Sequence, residues 1–416
     1  MSLLFTPAKL GPLTLRNRTI RSAAFEGMCP GNCPGEKLYN YHASVAAGGI
    51  GMTTLAYASV TQSGLSFPHQ LWLRKEVIPA LRKITDTIHK EGAAASIQIG
   101  HCGNMSKKSV AGQLPVSASY GFNIYSPTFV RRMKKHEIRE VATAFGDAVR
   151  LAREAGFDAV EVHAGHGYLL SQFLSKYTNH RHDEYGGSLE NRMRFMCMAV
   201  ENALEAAKSD MAVIAKINMQ DGFTFLGGMK TEDCILVAKK LESLGIHGLV
   251  LSAGFVSHAP MHVMYGAMPV RTMSYYMEPS IIKPLARYFG KILVPTVPFK
   301  EAYFYEDALK FREAVKLPLI YVGGLVARDK IDMVLNSGFQ FVAMARALVN
   351  EPGFVNRMKE EGDVRCSCEH ANYCIGRMYT VEMQCYQKIK DELPKCILKE
   401  ISPDTLAKCS LKKAVP

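Results

Sequence analysis

The stretch LPLIYVGGLVARDKIDMVLNSGFQFVAMARAL, residues 317–348, contains one complete unit of the fold. An apolar run at 319–322 is followed by two glycines, then by an amphipathic segment of helical length, and then by a second apolar run at 341–345. Short apolar runs separated in this way are typical of buried parallel strands joined by a crossover helix. The stretch therefore predicts a strand–helix–strand unit.

The same pattern recurs along the chain and predicts eight strands. Their residues are 19–23, 51–58, 93–99, 159–163, 212–218, 248–252, 319–322 and 341–345. Helical patterns lie between them, for example at 138–155 and at 189–208, where Ser188 can cap the helix. Eight alternating units favour a closed (β/α)₈ TIM barrel, an α/β fold, over an open doubly wound sheet.

Three of the predicted strands end in polar side chains. Side chains alternate between the two faces of a strand. In these strands one face carries aliphatic residues, and the other face carries Gln98, His163 or Lys216. In a barrel the carboxyl ends of the strands meet at one mouth, where active sites lie. The alternative is that these residues only mark where strands meet solvent.

Two regions interrupt the alternation. Residues 253–318 are too long for one helix and its loops, so we expect an insertion over the barrel mouth together with extra helices. The chain also continues past the last predicted unit. We therefore divide it into a barrel, residues 1–360, and a short cysteine-rich C-terminal extension packed on the barrel, residues 361–416.

Composition excludes several classes of protein. The chain has 416 residues, of which 48% are hydrophobic and 21% charged, as in ordinary globular proteins. No apolar run is long enough to span a membrane, and the first residues lack the layout of a secretory signal, so we expect a cytoplasmic protein without membrane contact. The net charge of +12 is scattered, which argues against nucleic acid as a partner. The oligomeric state, a homo-oligomer included, stays open.

Glycines and an arginine at two neighbouring strand ends predict a phosphate site. Gly323 and Gly324 let backbone N–H groups approach an anion, and Ala345 and Arg346 follow the next strand. These would be the seventh and eighth strands, the usual phosphate site of such barrels. The pattern therefore indicates a phosphorylated cofactor.

Two motifs carry a resemblance to a known family. HAGHGYLLSQFL, residues 163–174, continues into NHRHDEYGGSLENR, residues 179–192, and the chain opens with FTPAKLGPLTLRNR, residues 5–18. These motifs resemble the old yellow enzyme family of FMN-dependent ene-reductases, NADH:flavin oxidoreductases. The branch that contains trimethylamine dehydrogenase, 2-enoate reductase and 2,4-dienoyl-CoA reductase looks closest. The resemblance runs from about Leu3 to Val355 and recurs in the tail.

The resemblance implies non-covalent FMN, with NADH or NADPH as the reductant. Gln98 would bond the pyrimidine edge of the flavin, and Lys216 stands where many members carry arginine. A cation there stabilises the anionic reduced flavin. The residues implied in cofactor binding are Ser22, Ala23, Ala24, Phe25, Tyr57, Gln98, Lys216, Gly324, Ala345 and Arg346.

The resemblance also implies a substrate clamp. His163 and His166 match the pair that hydrogen-bonds an activating oxygen, and Tyr168 matches the proton donor. Hydride delivery to an alkene needs its neighbouring carbonyl polarised, because negative charge develops on the oxygen. Two alternatives stay open: the histidines, with Glu161, are also at metal-ligand spacing, and Tyr168 could be a core aromatic.

The chain departs from the family pattern at three places. Phe25 stands where ene-reductases have cysteine or threonine, and Asn104 where many relatives have arginine. In the tail, Cys368, Cys374 and Cys385 fall at or near three cluster-ligand positions, while the second position is Ala371. Cys366 and His370 could substitute as ligands, but neither is at the required offset. We therefore expect a degenerate site rather than a 4Fe–4S cluster.

These features predict an oxidoreductase that transfers hydride from NAD(P)H through FMN to an electron-poor alkene such as an enone or enoate. One alternative is an amine or demethylating dehydrogenase that passes electrons through an iron–sulfur cluster to a separate electron-transfer protein. The other is a flavin electron carrier without small-molecule turnover.

Overall fold

The computed structural model describes residues 2–123, 128–278, 283–284, 287–288, 290 and 294–401. Eight parallel strands close into a barrel in which neighbours in sequence are neighbours in space, the eighth pairing with the first. In chain order they are Thr19–Arg21, Met52–Ser59, Ala94–Gly100, Ala159–His163, Ala212–Asn218, Gly248–Ser252, Leu319–Val322 and Phe341–Met344. The (β/α)₈ TIM barrel predicted from the alternation is confirmed.

The strand ends agree with the predicted ones to within two residues. The largest difference is in the first barrel strand, which ends at Arg21 instead of residue 23. Its ladder continues for one more bond, from Ser22 N to Met344 O. The chain then turns across the mouth, where the Ala24 carbonyl accepts a hydrogen bond from Arg21 Nη2.

Helices surround the barrel. Their bounds are Glu36–Ala47, Ile78–Lys90, Lys135–Glu154, Leu189–Ala207, Thr231–Ser243, Tyr305–Ala314, Arg328–Asn336, Arg346–Asn350 and Phe354–Glu361. The helix that ends at Glu154 begins three residues earlier than predicted, because the Glu137 carboxylate in its first turn accepts a hydrogen bond from Lys134 N. Ser188 caps the next helix as predicted, accepting a hydrogen bond from Asn191 N.

The amino-terminal end of the barrel is filled by apolar side chains. The antiparallel strands Ala8–Leu10 and Leu13–Leu15 lie below it and contribute Leu10 and Leu15 to the inner core. The remaining buried members of that core are Ile20, Met52, Ala159, Ala212, Ile214, Val250, Ile320, Phe341 and Ala343. Because the interior is packed at this end, chemistry is confined to the carboxyl end of the strands.

Loops and short elements build up the mouth. A small three-stranded sheet of Val116–Ser117, Gly121–Asn123 and Thr128–Arg132 follows the third barrel strand. The predicted insertion contributes the helix Val270–Tyr276, while residues 279–282, 285–286, 289 and 291–293 lie outside the described part. In the parts of the chain that the structure describes, no helix is both long enough and apolar enough to cross a membrane.

The residues after 361 contact the barrel and the insertion. Asn372 Nδ2 donates to Ala267 O in the insertion, and Met383 N donates to Glu26 O at the barrel mouth. Short helices span Tyr373–Gly376 and Lys395–Glu400, and Cys409 lies outside the described residues. The cysteine-rich segment thus lies against the same end of the barrel as the predicted site.

Candidate active site

A buried ion pair lies at the base of the mouth. Lys216 Nζ is 2.8 Å from Glu161 Oε1, and Gln98 Nε2 donates to the same oxygen at 2.6 Å. Lys216 Nζ also donates to Ala23 O at 3.2 Å. Glu161 thus orients both polar groups, rather than serving as the third ligand of a metal with the histidines.

A second buried ion pair fixes the segment that crosses the mouth. Arg21 Nη1 is 2.6 Å from Glu26 Oε1, and both carboxylate oxygens of Glu26 accept hydrogen bonds from Ala56 N. Between these two anchors, Ala23, Ala24 and Phe25 are half-exposed, whereas Ser22 is buried. The segment thus presents three residues to the mouth from a rigid support.

His163, His166 and Tyr168 come together above this base. The ring centroids of His163 and His166 are 5.1 Å apart, and those of His163 and Tyr168 are 4.5 Å apart. His163 is buried, while His166 and Tyr168 are half-exposed. His163 Nδ1 is buried without a hydrogen-bond partner among the described residues.

The loop that carries the clamp is held in an uncommon conformation. His166 has φ 58° and Gly167 has φ 76°, so the backbone is left-handed at two successive residues. His166 N donates to Asn218 Oδ1 at 2.9 Å, and the His166 ring Nε2 lies 2.7 Å from Ser252 Oγ. A Cβ at Gly167 would lie 2.2 Å from the Phe255 ring, so only glycine fits there. The fifth and sixth strands therefore position this imidazole.

Burial keeps the clamp residues in their neutral forms. Desolvation, with a smaller contribution from the Lys216 charge, lowers the pKa of His166 to about 3. Burial, followed by the charges of His166 and Lys216, lowers the pKa of His163 well below its usual value. Burial, followed by the charge of Cys102, raises the pKa of Tyr168. At neutral pH the site therefore contains two neutral imidazoles and a protonated phenol.

Aromatic residues line one wall of the mouth. Tyr57 lies 5.1 Å from Tyr168 and 5.5 Å from Phe25 between ring centroids, and its hydroxyl is 3.3 Å from Cys102 Sγ. Desolvation, followed by the charge of Cys102, raises the pKa of Tyr57. Phe25 is thus part of an aromatic wall.

The predicted phosphate residues line a cavity at the ends of the seventh and eighth strands. Gly324, Ala345 and Arg346 are half-exposed there. The helix Arg346–Asn350 begins at this point, and its first N–H groups have no partners within the helix. Arg346 Nη1 donates to Tyr265 O and Asn372 Oδ1, both at 2.6 Å, which sequence patterns could not indicate.

These residues fit a flavin mononucleotide. The cavity offers glycines and a helix start to a phosphate, and the half-exposed 23–25 segment offers an apolar surface to a planar ring. The Lys216 cation supplies a polar group on the barrel side. The donor set thus matches the anionic and heteroaromatic parts of the cofactor.

The cysteines of the tail line a second cavity beside Arg346. Cys368, Cys374 and Cys385 face it together with Ala371. The Cys366 thiol is directed elsewhere, toward Ala347 O at 3.6 Å and Asn350 Oδ1 at 3.4 Å. Within the described ranges, no group of three or more His, Cys, Asp or Glu residues is arranged to hold a metal ion.

Sequence reasoning missed several residues that shape the site. Glu26, Asn218 and Ser252 hold predicted site residues in place, and Phe67 and His69 continue the aromatic wall from Phe25. An acidic residue shortly after the first strand was a usable signal for Glu26. The contacts of the other four cross between distant segments and leave no local pattern.

Comparison with known proteins places these features in a family. The sequence model of the NADH:flavin oxidoreductase / NADH oxidase family matches residues 3–288. The 4,4'-dithiodibutanoate disulfide reductase of Rhodococcus erythropolis is 38% identical over 378 residues, which are 91% of this chain and 93% of that protein.

Two further proteins resemble this chain, one in sequence and one in fold. The NADH oxidase of Thermoanaerobacter brockii is 29% identical over 381 residues, 90% of this chain but 53% of that protein, so this chain spans about half of its length. The solved structure of an old yellow enzyme homologue from Zymomonas mobilis has the same fold. It superposes with a TM-score of 0.69 at 23% identity and covers 94% of this chain and 99% of that one.

Proposed function

Since the chain belongs to the NADH:flavin oxidoreductase / NADH oxidase family, we propose that it reduces electron-poor alkenes at the expense of NADH or NADPH. The coarse activity, an NAD(P)H-dependent flavin oxidoreductase, follows from the family and from the relatives. The finer activity rests on the clamp of His163, His166 and Tyr168. Its substrate is an alkene conjugated to a carbonyl, an enone or enoate.

The residues around the two strand ends and the mouth would hold the cofactor. Gly324, Ala345 and Arg346 would bind its phosphate, Gln98 and Lys216 would contact the edge of its ring, and the 22–25 segment and Tyr57 would flank the ring. Bound FMN supplies a two-electron carrier that accepts hydride from a reduced nicotinamide and releases it to a substrate. The Lys216 charge is offset by Glu161, so its effect on an anionic ring is weaker than that of an unpaired cation.

The imidazoles act on the activating oxygen of the substrate. A neutral imidazole donates one hydrogen bond, and two such donors aimed at one oxygen stabilise the negative charge that develops when hydride reaches the β carbon. The Ser252 hydroxyl, 2.7 Å from His166 Nε2, fixes the direction of that ring. Removal of one donor of this kind costs about 10²-fold in rate.

Tyr168 completes the addition. The α carbon gains a proton from the phenol while the β carbon gains the hydride, so the double bond becomes a single bond and NAD(P)H becomes NAD(P)⁺. The raised pKa of Tyr168 keeps the phenol protonated at neutral pH. The proton is then restored to the phenolate from solvent through the half-exposed mouth.

The observation that carries the proposal is the 4.5 Å separation between the rings of His163 and Tyr168, with His166 beside them. An anaerobic titration tests it: NADH or NADPH is added to the FMN-loaded protein until the flavin is bleached, and a panel of enones and enoates follows. We expect bleaching by at least one nucleotide and recovery with at least one alkene. Failure of every alkene would overturn the proposal.

The second candidate function is disulfide reduction. It is favoured by the 38% identity to a 4,4'-dithiodibutanoate disulfide reductase over nearly the whole of both chains. The same donors could serve it, since a hydride and a proton convert a disulfide into two thiols, and neutral imidazoles stabilise the leaving thiolate. Including a dialkyl disulfide in the titration separates the two functions by the rate of flavin recovery.

We also propose that residues 361–416 act as one extension on the barrel of residues 1–360. The hydrogen bonds from Met383 N to Glu26 O and from Arg346 Nη1 to Asn372 Oδ1 support this division. The tail then serves the mouth directly rather than a separate activity. Limited proteolysis that releases the tail without loss of FMN or turnover would contradict it.

A further inference from the structure

The C-terminal extension forms part of the rim of the active site. His69 Nε2 lies 3.1 Å from Met378 O, and Met383 N donates to Glu26 O at 2.7 Å, so the segment between these residues is pinned at both ends. A Cβ on Gly27 would meet the His69 ring at 2.8 Å and the Glu382 backbone at 3.4 Å. The segment 378–383 therefore lies directly beside the Phe25 wall.

Half-exposed aromatic rings continue this rim. Phe67 stacks on Phe25 with ring centroids 5.1 Å apart, and His69 lies 5.3 Å from Phe67. Tyr379 lies in the segment 378–383, and Phe25 is linked to Tyr168 through Tyr57, whose ring centroid is 5.5 Å from that of Phe25 and 5.1 Å from that of Tyr168. The rim, defined as Phe25, Phe67, His69 and Tyr379, thus begins at the proposed proton donor and leads away from it.

The ammonium group of Lys107 lies on the rim. Lys107 Nζ is 4.7 Å from the centroid of the Phe67 ring, and its backbone N–H donates to Leu65 O. Burial lowers the pKa of Lys107, the charge of Glu278 opposes that shift, and Lys107 in turn contributes to the lowered pKa of His69. Glu278 lies 3.9 Å from Lys283. In the described part of the chain, no carboxylate is within 4 Å of Lys107 Nζ.

A partly desolvated ammonium group on an aromatic face is stabilised further when a ligand brings an anion to it. A ring face stabilises a cation only partly, and a carboxylate at hydrogen-bond distance would add a charge-assisted bond in a region from which water is partly excluded. The aromatic rings beside it suit an apolar chain that connects the anion to the reacting group. We propose, on the basis of the function proposed above, that Lys107 and the rim bind a carboxylate carried by the substrate on the side away from its double bond.

The phosphates of the nicotinamide nucleotide share this anionic chemistry, so the test has an arm for each source. The substrate arm uses two saturated ketones, 7-oxooctanoate and its primary amide, which differ only in the charge of the tail and need no turnover. Their dissociation constants for the FMN-loaded protein are measured by titration calorimetry. The nucleotide arm measures the KM of NADH and of NADPH.

We expect the wild type to bind the acid about tenfold more tightly than the amide, as one charge-assisted hydrogen bond provides. Lys107→Met should remove this preference, and Lys107→Arg should keep most of it. Lys108→Met, an equal loss of charge at the exposed neighbouring position, should leave it unchanged. The KM values of the nucleotides should be the same in all variants.

Equal affinity of the wild type for acid and amide, or no binding of the acid, would overturn the proposal. So would a Lys107→Met variant that keeps the preference, or one in which only the KM of a nucleotide rises. Reduction of 7-oxooct-5-enoate, the matching enone, is measured separately. Its failure would count against alkene reduction, while the preference for the acid in binding would still support the carboxylate subsite.

Discussion

The ammonium Nζ of Lys216 lies 2.8 Å from Oε1 of Glu161, and each side chain is only 2% exposed. The two residues are on neighbouring strands, and Gln98 on a third strand donates to the same carboxylate. The base of the mouth is therefore a closed polar network in which the charge of Lys216 is balanced by that of Glu161. A buried network of this kind is costly when one partner is removed.

We predict that Lys216→Met lowers the free energy of unfolding by about 3 kcal/mol, because Glu161 is then buried without its counter-charge. The double variant Lys216→Met with Glu161→Met should be less destabilised than the single variant. Urea denaturation followed by circular dichroism measures both, with the exposed Lys239→Met as control. Equal stability of the single variant and the control would refute this reading of the ion pair.

Tyr168→Phe should lower the turnover of an enone by about 10²-fold, as loss of a positioned general acid does. The rate at which NADH or NADPH reduces the flavin should change little, because that step uses no proton from this phenol. Stopped-flow measurement of the two half-reactions separates them, and Tyr120→Phe, at a position 78% exposed, serves as the control. An equal fall in both half-reactions would instead indicate a structural role.

The pH dependence of the rate should lack a histidine ionisation. The pKa of His166 is about 3 and that of His163 is also lowered, so both rings stay neutral where a free histidine, with a pKa of about 6.5, would titrate. We predict that kcat/KM for an uncharged enone is level from about pH 5.5 to 8. An acid limb with a midpoint near the free-histidine value would contradict the neutral clamp.

The lowered pKa of His166 also makes the free energy of unfolding depend on pH. Because the folded pKa of His166 lies below the unfolded one, the unfolded chain binds the proton first, and stability is lost as pH falls from about 6.5 toward the folded value. His166→Asn removes this contribution. Between about pH 6.5 and 4.5 its free energy of unfolding should therefore fall less steeply than that of the wild type. Parallel curves for the two proteins would exclude the effect.

The cysteine cavity yields a prediction about iron. Three cysteines line it, but Ala371 occupies the position of the second ligand and Cys366 is bonded elsewhere. We predict that protein prepared without oxygen contains far less than the iron and acid-labile sulfide of a four-iron cluster. Ala371→Cys should raise both on reconstitution. A full complement in the wild type would show that the cavity holds a cluster without that ligand and would favour the dehydrogenase alternative.

The strand pattern was enough to predict the barrel and the placement of its polar strand ends. Alternation placed Gln98, His163 and Lys216 at one mouth because period and strand direction are local properties of the sequence. The alternation could not predict which polar groups form hydrogen bonds or ion pairs with one another. The bonds of Glu161 depend on the stagger between three strands, and those of Arg346 depend on how the insertion and the tail fold over the barrel.

The rim is the clearest case of a feature beyond sequence reasoning. His69 and Met378 are separated by most of the chain, and no periodicity connects them. The tail was expected to pack on the barrel, yet nothing in its composition indicated that its residues 378–383 would lie beside Phe25. Long-range contacts of this type follow from the assembled fold, so the structure is needed to propose a substrate subsite there.

The most direct test of the central claim is the fate of an enone mixed with reduced protein in D₂O under anaerobic conditions. The account predicts rapid return of the oxidised flavin spectrum and a saturated ketone with one deuterium at the α carbon. Tyr168→Phe should form the same product about 10²-fold more slowly. A flavin that stays reduced with every enone but is reoxidised by a disulfide would contradict alkene reduction and assign the site to disulfides.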